Sequence, residues 1–158
     1  MNDRVTNIVI AGLGGQGVLK AAGIVADAAF RAGWDVKQSE LHGMSQRGGS
    51  VSSDVRFGPE VFSPMVPTGE ADFLVVVAPD QVEVNRAQLR TGGVLILPDA
   101  VDAKLLSNRK ALNVALLGAL SRHLKIDENH WLDAICAAFP EKLHAANLQA
   151  FALGRTGV

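Results

Sequence analysis

The first third of the chain constrains the fold most. Asn7-Ile8-Val9-Ile10-Ala11 is a short β-branched run, the length of a buried strand and too short for a helix. It leads into Gly12-Leu13-Gly14-Gly15-Gln16-Gly17 and then into the alanine-rich residues 18–32, where Leu19, Ala22, Ala26, Ala29 and Phe30 fall at helical spacing. Gly33 stops that helix, as a glycine past the last turn does. Strand, glycine turn and helix in this order open a βα unit and place the chain in the α/β class. Gly12, Gly14 and Gly17 also match G-x-G-x-x-G. In that pattern Gly12 permits a tight turn, Gly14 lets backbone approach a phosphate, and Gly17 lets the helix pack on the strand. Unpaired N–H groups and the helix dipole then favour an anion. The same glycines also fit a turn kept only for close packing.

Residues 34–40 read as a second, half-polar strand and residues 50–57 as a third. Glu60-Val61-Phe62-Ser63 is expected to return antiparallel across Gly58-Pro59 as a hairpin. Residues 72–78 are continuously apolar, the pattern of a strand covered on both faces. Pro79 opens a helix with Asp80 as cap and Glu83 reaching back to it; Thr91-Gly92-Gly93 ends it. Residues 94–97 form a further strand, and 99–110 read as loop or short helix. Residues 111–124 are apolar almost all round, so that helix is buried or covered by a partner. Asp127 caps a helix through Phe139, and Pro140 starts another that runs to about Leu153, with Gly154 and Gly157 in a frayed end. The expectation is an α/β, Rossmann-like three-layer domain: a mostly parallel sheet, one hairpin and a helical C-terminal part, with residues 1–158 as a single domain.

Between the second and third strands lies Ser39-Glu40-Leu41-His42-Gly43-Met44-Ser45-Gln46-Arg47-Gly48-Gly49-Ser50, dense in donors and glycines and without hydrophobic period. The Arg47 guanidinium can fork onto a carboxylate or phosphate while Gly48 and Gly49 clear space, or it can make an internal salt bridge. His42 is either a solvated loop histidine or a proton-transfer group titrating near neutrality. Ser45 has no nucleophile-elbow setting. A dinucleotide site wants an acid at the end of the second strand. Glu40 falls near that point but runs into the polar loop, and 158 residues leave no room for a second, substrate-binding domain.

Composition removes several classes. Fifteen basic and sixteen acidic residues give a net charge of -1, with no basic field for nucleic acid, and the absence of tyrosine argues against a base-stacking surface. The single cysteine, Cys136, lies in an apolar run and is expected buried in a helix; alone it makes no internal disulfide, four-ligand zinc site or iron–sulfur site. His123, His130 and His144 are expected at the surface, so no metal site is assigned. The N-terminus has no signal-peptide pattern and no apolar run approaches a membrane span, so a cytoplasmic chain is expected.

The glycine turn with Val18, and the polar loop through Val51, together resemble the gamma-type subunit of 2-oxoacid:acceptor (ferredoxin) oxidoreductases, most of all the beta-subunit group of the indolepyruvate ferredoxin oxidoreductases. The likeness continues at Val55-Arg56-Phe57-Gly58, Phe62-Ser63-Pro64, Gly69-Glu70-Ala71-Asp72, Pro98 and residues 110–119, and covers nearly the whole chain. Residues 97–110 are shorter than the family pattern, which implies a smaller sheet. The resemblance implies an accessory subunit of a complex that oxidatively decarboxylates an aryl or indolepyruvate-like 2-oxoacid to an acyl-CoA. Thiamine diphosphate and iron–sulfur clusters would sit on larger partner subunits, with ferredoxin or another carrier taking the electrons, and the isolated chain would be inactive. Gly12, Gly14, Gly15, Gln16 and Gly17, with Ser39, Glu40 and residues His42 to Gly49, would line the active-site entrance and hold part of coenzyme A. The alternatives are a stand-alone Rossmann-like nucleotide-binding or regulatory module, and a purely structural scaffold subunit.

Overall fold

The computed structural model describes residues 4–42 and 49–157. Five strands form one sheet: β1 (Thr6–Leu13), β2 (Asp35–His42), β3 (Ser50–Gly58), β4 (Ala71–Val76) and β5 (Leu89–Ile96). Their order is β2-β3-β1-β4-β5, with β3 antiparallel to both neighbours and the β1-β4 and β4-β5 pairs parallel. Four of the five strands therefore share one direction, and the hairpin is β2–β3, flanking the polar loop. The expected return strand at 60–63 does not form. β3 already has a partner on each edge, so no ladder position is left for it. Its backbone is held by side chains instead: Asp35 accepts the Val61 N–H at 2.7 Å, and Arg56 donates to the Ser63 carbonyl at 2.8 Å.

The helices are α1 (Val18–Arg31), the single turn α2 (Val82–Asn85), α3 (Leu112–Ser121), α4 (Glu128–Ala138) and α5 (His144–Thr156). Alternation along β1 separates two cores. Ile8 and Ile10 face α1, α3, α4 and α5 in the main core. Val9 faces the other side with Leu74, Val76, Val66 and Val82, so the third layer is thin, built from the 59–70 segment and the helical turns after β4. The buried stripe of α1 is Val18, Ala21, Ala22, Ile24, Val25, Ala28 and Ala29, rotated by about one position from the expected face, and Phe30 is 71% exposed.

Several local expectations are corrected. The Asp80–Glu83 capping box is absent: no side chain caps the turns after Pro79, and Glu83 pairs with Arg86 instead. Thr91-Gly92-Gly93 lies inside β5, where the register against β4 shifts and Gly92 takes φ +79. A Cβ on Gly93 would meet the Arg90 and Ala71 carbonyl oxygens at 3.0 and 3.1 Å, so the glycines serve a bulge rather than a helix end. Asp127 gives α4 no side-chain cap, and Cys136 is half-buried. His144 is structural: its Nε2 bonds to the carbonyls of Cys136 and Phe139 at 2.9 and 2.8 Å, closing the C-terminal end of α4. Gly154 is buried inside α5, where that helix crosses α3 at Gly118. Of these two glycines, Gly157, at φ +79 and donating to the Leu153 carbonyl, is the left-handed C-cap.

Candidate functional site

The glycine turn sits at the C-terminal end of β1 and is pinned by its own glutamine. The Leu13 N–H donates to Gln16 Oε1 at 2.7 Å, and the Gln16 N–H returns to the Leu13 carbonyl at 3.2 Å. A Cβ on Gly12 would lie 2.9 Å from both Gln16 Oε1 and Val18 Cγ2, so Gly12 serves packing within the turn. Gly15 takes φ +88 with open space around its Cα. Gly17, at φ +76, is the N-cap of α1, and no side chain caps that helix. Its carbonyl accepts from Asn113 Nδ2 at 3.1 Å, tying the turn to the start of α3. The first-turn N–H groups of a helix have no intrahelical acceptor. Those of α1 border a cleft of about 330 Å³ lined by Gly14, Gly15, Gly17, Lys20, Gly49 and Ser50, among others.

The polar loop enters this cleft through its last residues. Leu13 and Ser50 are partners in the β1–β3 ladder, and the Gly14 N–H donates to the Gly49 carbonyl at 2.9 Å. This hydrogen bond joins the two glycine-rich segments. It also engages the Gly14 N–H within the chain. Ser50 is fixed in turn by a 2.7 Å hydrogen bond to the buried Gln81.

Ser39 and Glu40 are not brought to the turn. Both lie in edge strand β2, paired with Asp54 and Ser53, and β3 separates them from β1. Two strand spacings amount to about 10 Å. A dinucleotide site therefore lacks its acid beside the glycine turn. His42 is the last β2 residue, paired with Val51. Gly43, Met44, Ser45, Gln46, Arg47 and Gly48 lie outside the described residues.

Three contributors carry no motif in the sequence: Lys20, Gln81 and Asn113. Lys20 Nζ donates to the Ala138 carbonyl at 3.0 Å and lies 5.4 Å from the Phe139 ring centre, holding a positive charge at the rim. Asn113 could have been found as the one amide in an otherwise apolar helix. Among the described residues, the two carboxyls with displaced pKa values lie elsewhere. Burial pushes the Asp54 carboxyl up, more than the Val66 N–H and Arg56 draw it down. Burial also raises Asp72, but the Asn7 N–H and the Arg4 and Arg90 guanidiniums outweigh it and hold the group below the ordinary carboxylate range. Among the described residues, no three or more His, Cys, Asp or Glu side chains are grouped to hold a metal ion, and no helix is long and apolar enough to cross a membrane. The cleft thus has the parts for holding an anion beside a backbone surface.

Solved structures of 2-oxoacid ferredoxin oxidoreductases share this α/β architecture. A gamma subunit of a keto/oxoacid ferredoxin oxidoreductase from Geobacter sulfurreducens superposes with a TM-score of 0.80 at 24% identity, covering 96% of each chain. A 2-oxoglutarate:ferredoxin oxidoreductase from Magnetococcus marinus, solved with 2-oxoglutarate, coenzyme A and succinyl-CoA bound, superposes with a TM-score of 0.84 at 22% identity, over 99% of this chain and 32% of that one. In sequence, the indolepyruvate oxidoreductase subunit IorB of Thermococcus kodakarensis is 35% identical, and that of Pyrococcus horikoshii 32%, each over 94% of this chain and 93% of the relative. Residues 7–157 match the pyruvate ferredoxin/flavodoxin oxidoreductase family, and the chain belongs to that family as one of its gamma-type subunits.

Proposed function

We propose that this chain is the accessory subunit of a complex that oxidatively decarboxylates an aryl 2-oxoacid to its acyl-CoA, and that its glycine cleft forms part of the active-site entrance and receives an anionic portion of coenzyme A. The observation that carries this is the Gly14–Gly49 hydrogen bond, which joins both glycine-rich segments around the uncapped start of α1. An uncapped helix start stabilises a phosphate through its N–H groups and dipole. Lys20 adds a charge, and the open Gly15 backbone admits a close approach. Coenzyme A bound in the Magnetococcus relative and the IorB likeness support the choice of ligand and substrate class.

Thiamine diphosphate supplies the carbanion chemistry in such a complex and iron–sulfur clusters the electron path. These groups would sit on the larger partner subunits. This chain's own residues bind and orient: the first-turn amides and Lys20 hold the anion, Gln16 keeps the turn closed, and Gln81 fixes Ser50 at the rim. Arg47 supplies a second cation from the polar loop, and His42 is the one candidate for proton transfer there.

The test is steady-state kinetics of the assembled complex with Lys20→Ala and Arg47→Ala. Each is expected to raise KM for coenzyme A about tenfold, the loss of one charge-assisted contact, while the complex still assembles and the 2-oxoacid KM stays unchanged. An unchanged coenzyme A KM in both variants would remove the role given to this cleft. Turnover by the isolated chain would remove the accessory-subunit assignment.

A further inference from the structure

A second cleft, of about 480 Å³, opens at the opposite end of the sheet, where β1 and β4 begin. β1 is eight residues long, so the two clefts lie about 23 Å apart along it. Nothing in the glycine-cleft function uses this end. Its volume falls within the range of small-molecule sites, roughly 300–1,000 Å³.

Aromatic rings line two of its walls. Trp34 and Phe57 are tilted against each other at 6.3 Å between centroids, and Phe73 and His123 at 5.6 Å. Phe57 pairs with Thr6, and Phe73 with Ile8, on the two sides of β1, so the pairs face each other across that strand. Three cations, Arg4, Arg90 and Lys125, share the lining with one anion, Asp72, a net charge of +2 over these four side chains. Asp72 is only 3% exposed and lies behind the cations, bonded to the Asn7 N–H, to Arg4 and to Arg90 Nε. Arg90 has two donors engaged, by Asp72 and by the Thr91 carbonyl, and its side chain is 43% exposed. Lys125 is exposed and forms no ion pair among the described residues. The buried carboxylate thus fixes a guanidinium at the mouth of an aromatic-walled cleft without cancelling the positive charge.

We propose that this cleft is a binding site for a small aromatic monocarboxylate. A flat ring fits between the two ring pairs by offset or edge-on stacking. The carboxylate meets Arg90 by the forked geometry that guanidinium and carboxylate share, with Lys125 as a second charge. Asp72 behind the cations disfavours a dianion such as a phosphate monoester.

The experiment uses the full chain, ¹⁵N-labelled, titrated with indole-3-acetate and, as a neutral analogue, with 3-methylindole. Trp34 lines the cleft and Trp131, the other tryptophan, is fully buried outside it, so the two indole N–H signals report separately. Indole-3-acetate is expected to shift Trp34 saturably with a Kd below about 1 mM, reasonable for a ligand of this size, and 3-methylindole to bind at least about tenfold more weakly. Lys125→Glu and Arg90→Gln are each expected to weaken binding about tenfold or more, and Lys20→Ala to leave it unchanged. Because Arg90 also supports Asp72, thermal unfolding is measured for both variants, and Lys125→Glu, on an exposed side chain, decides if Arg90→Gln fails to fold. The proposal is overturned by any of three results: no saturable Trp34 shift at several millimolar ligand, equal binding of the neutral analogue, or unchanged binding in Lys125→Glu. Shifts centred on residues 12–17 instead of Trp34 would likewise overturn it.

Discussion

Gly154→Ala tests the core most directly. Gly154 and Gly118 are the points where α5 and α3 cross with backbone against backbone. A Cβ on Gly154 would lie 1.8 Å from the Ala115 carbonyl oxygen, 2.8 Å from its carbon and 3.0 Å from the Ala119 nitrogen. A Cβ on Gly118 would lie 2.1 Å from the Phe151 carbonyl oxygen. All of these are helix backbone and cannot swing aside as a side chain would. A close carbon–oxygen contact needs about 3.3 Å, so the helices must part by about 1.5 Å. A gap of about 0.5–1 Å already forfeits a quarter to a half of each dispersion contact along the interface. Overpacking of this kind costs about 1–3 kcal/mol and more when backbone must move, whereas Gly→Ala in a helix by itself contributes about 1 kcal/mol of stability. Taking the upper end of that cost, we expect a net loss of about 2 kcal/mol, a Tm lowered by about 4–8 °C for a chain of this size. Gly23→Ala is the control: Gly23 is also helical, in α1, with nothing within 4 Å of its would-be Cβ, so only the propensity gain remains. Urea unfolding of both variants checks this. A Gly154→Ala midpoint equal to or above wild type would refute the close crossing.

Asp72 has a lowered folded pKa, so its contribution is complete above the unfolded value near about 3.9 and is lost as pH falls through the lower folded value. In urea titrations across pH, the stability difference between wild type and Asp72→Asn should therefore be flat at neutral pH and shrink only in strong acid. Asp54 has the opposite sign: its folded pKa is raised, so stability rises as pH falls from that value toward the unfolded one, and Asp54→Asn should abolish this rise. Gly17→Ala should cost about 2 kcal/mol, from a non-glycine residue in the left-handed region and a Cβ 2.4 Å from Asn113 Nδ2. In an Asn113→Ala background only the backbone part should remain, so a double-mutant cycle of unfolding free energies should show coupling; strict additivity would contradict the contact.

What was legible in the chain was what depends on near neighbours in sequence. The β-branched run of β1 and the apolar run of β4 carry their own strand signal, and residues 12–17 mark a strand-to-helix turn because glycine takes the left-handed angles seen at Gly15 and Gly17 without steric cost. The late helices were equally visible as apolar runs, and the paired glycine-rich motifs were enough to place the chain in its family. Their failures were also local: the Asp80–Glu83 cap and the Gly92-Gly93 stop are valid helix signals that tertiary pairing overrode, because β5 begins at Leu89 once β4 offers a free edge.

The sequence by itself determined the α/β class, the glycine turn and the two motifs as separate features. The tertiary structure alone decided how they meet. β3 inserts antiparallel between β2 and β1, and that pairing brings Gly49 and Ser50 to Leu13 and Gly14 while it carries Glu40 away to an edge. It also decided that Gly118 and Gly154 are a helix crossing, and that Arg4, Asp72 and Arg90 converge at the second cleft. The physical reason is the range of the signals. Periodicity and capping link residues a few positions apart, whereas strand order and buried charge are settled by which backbone edges remain unpaired and which carboxylate must find partners on leaving water.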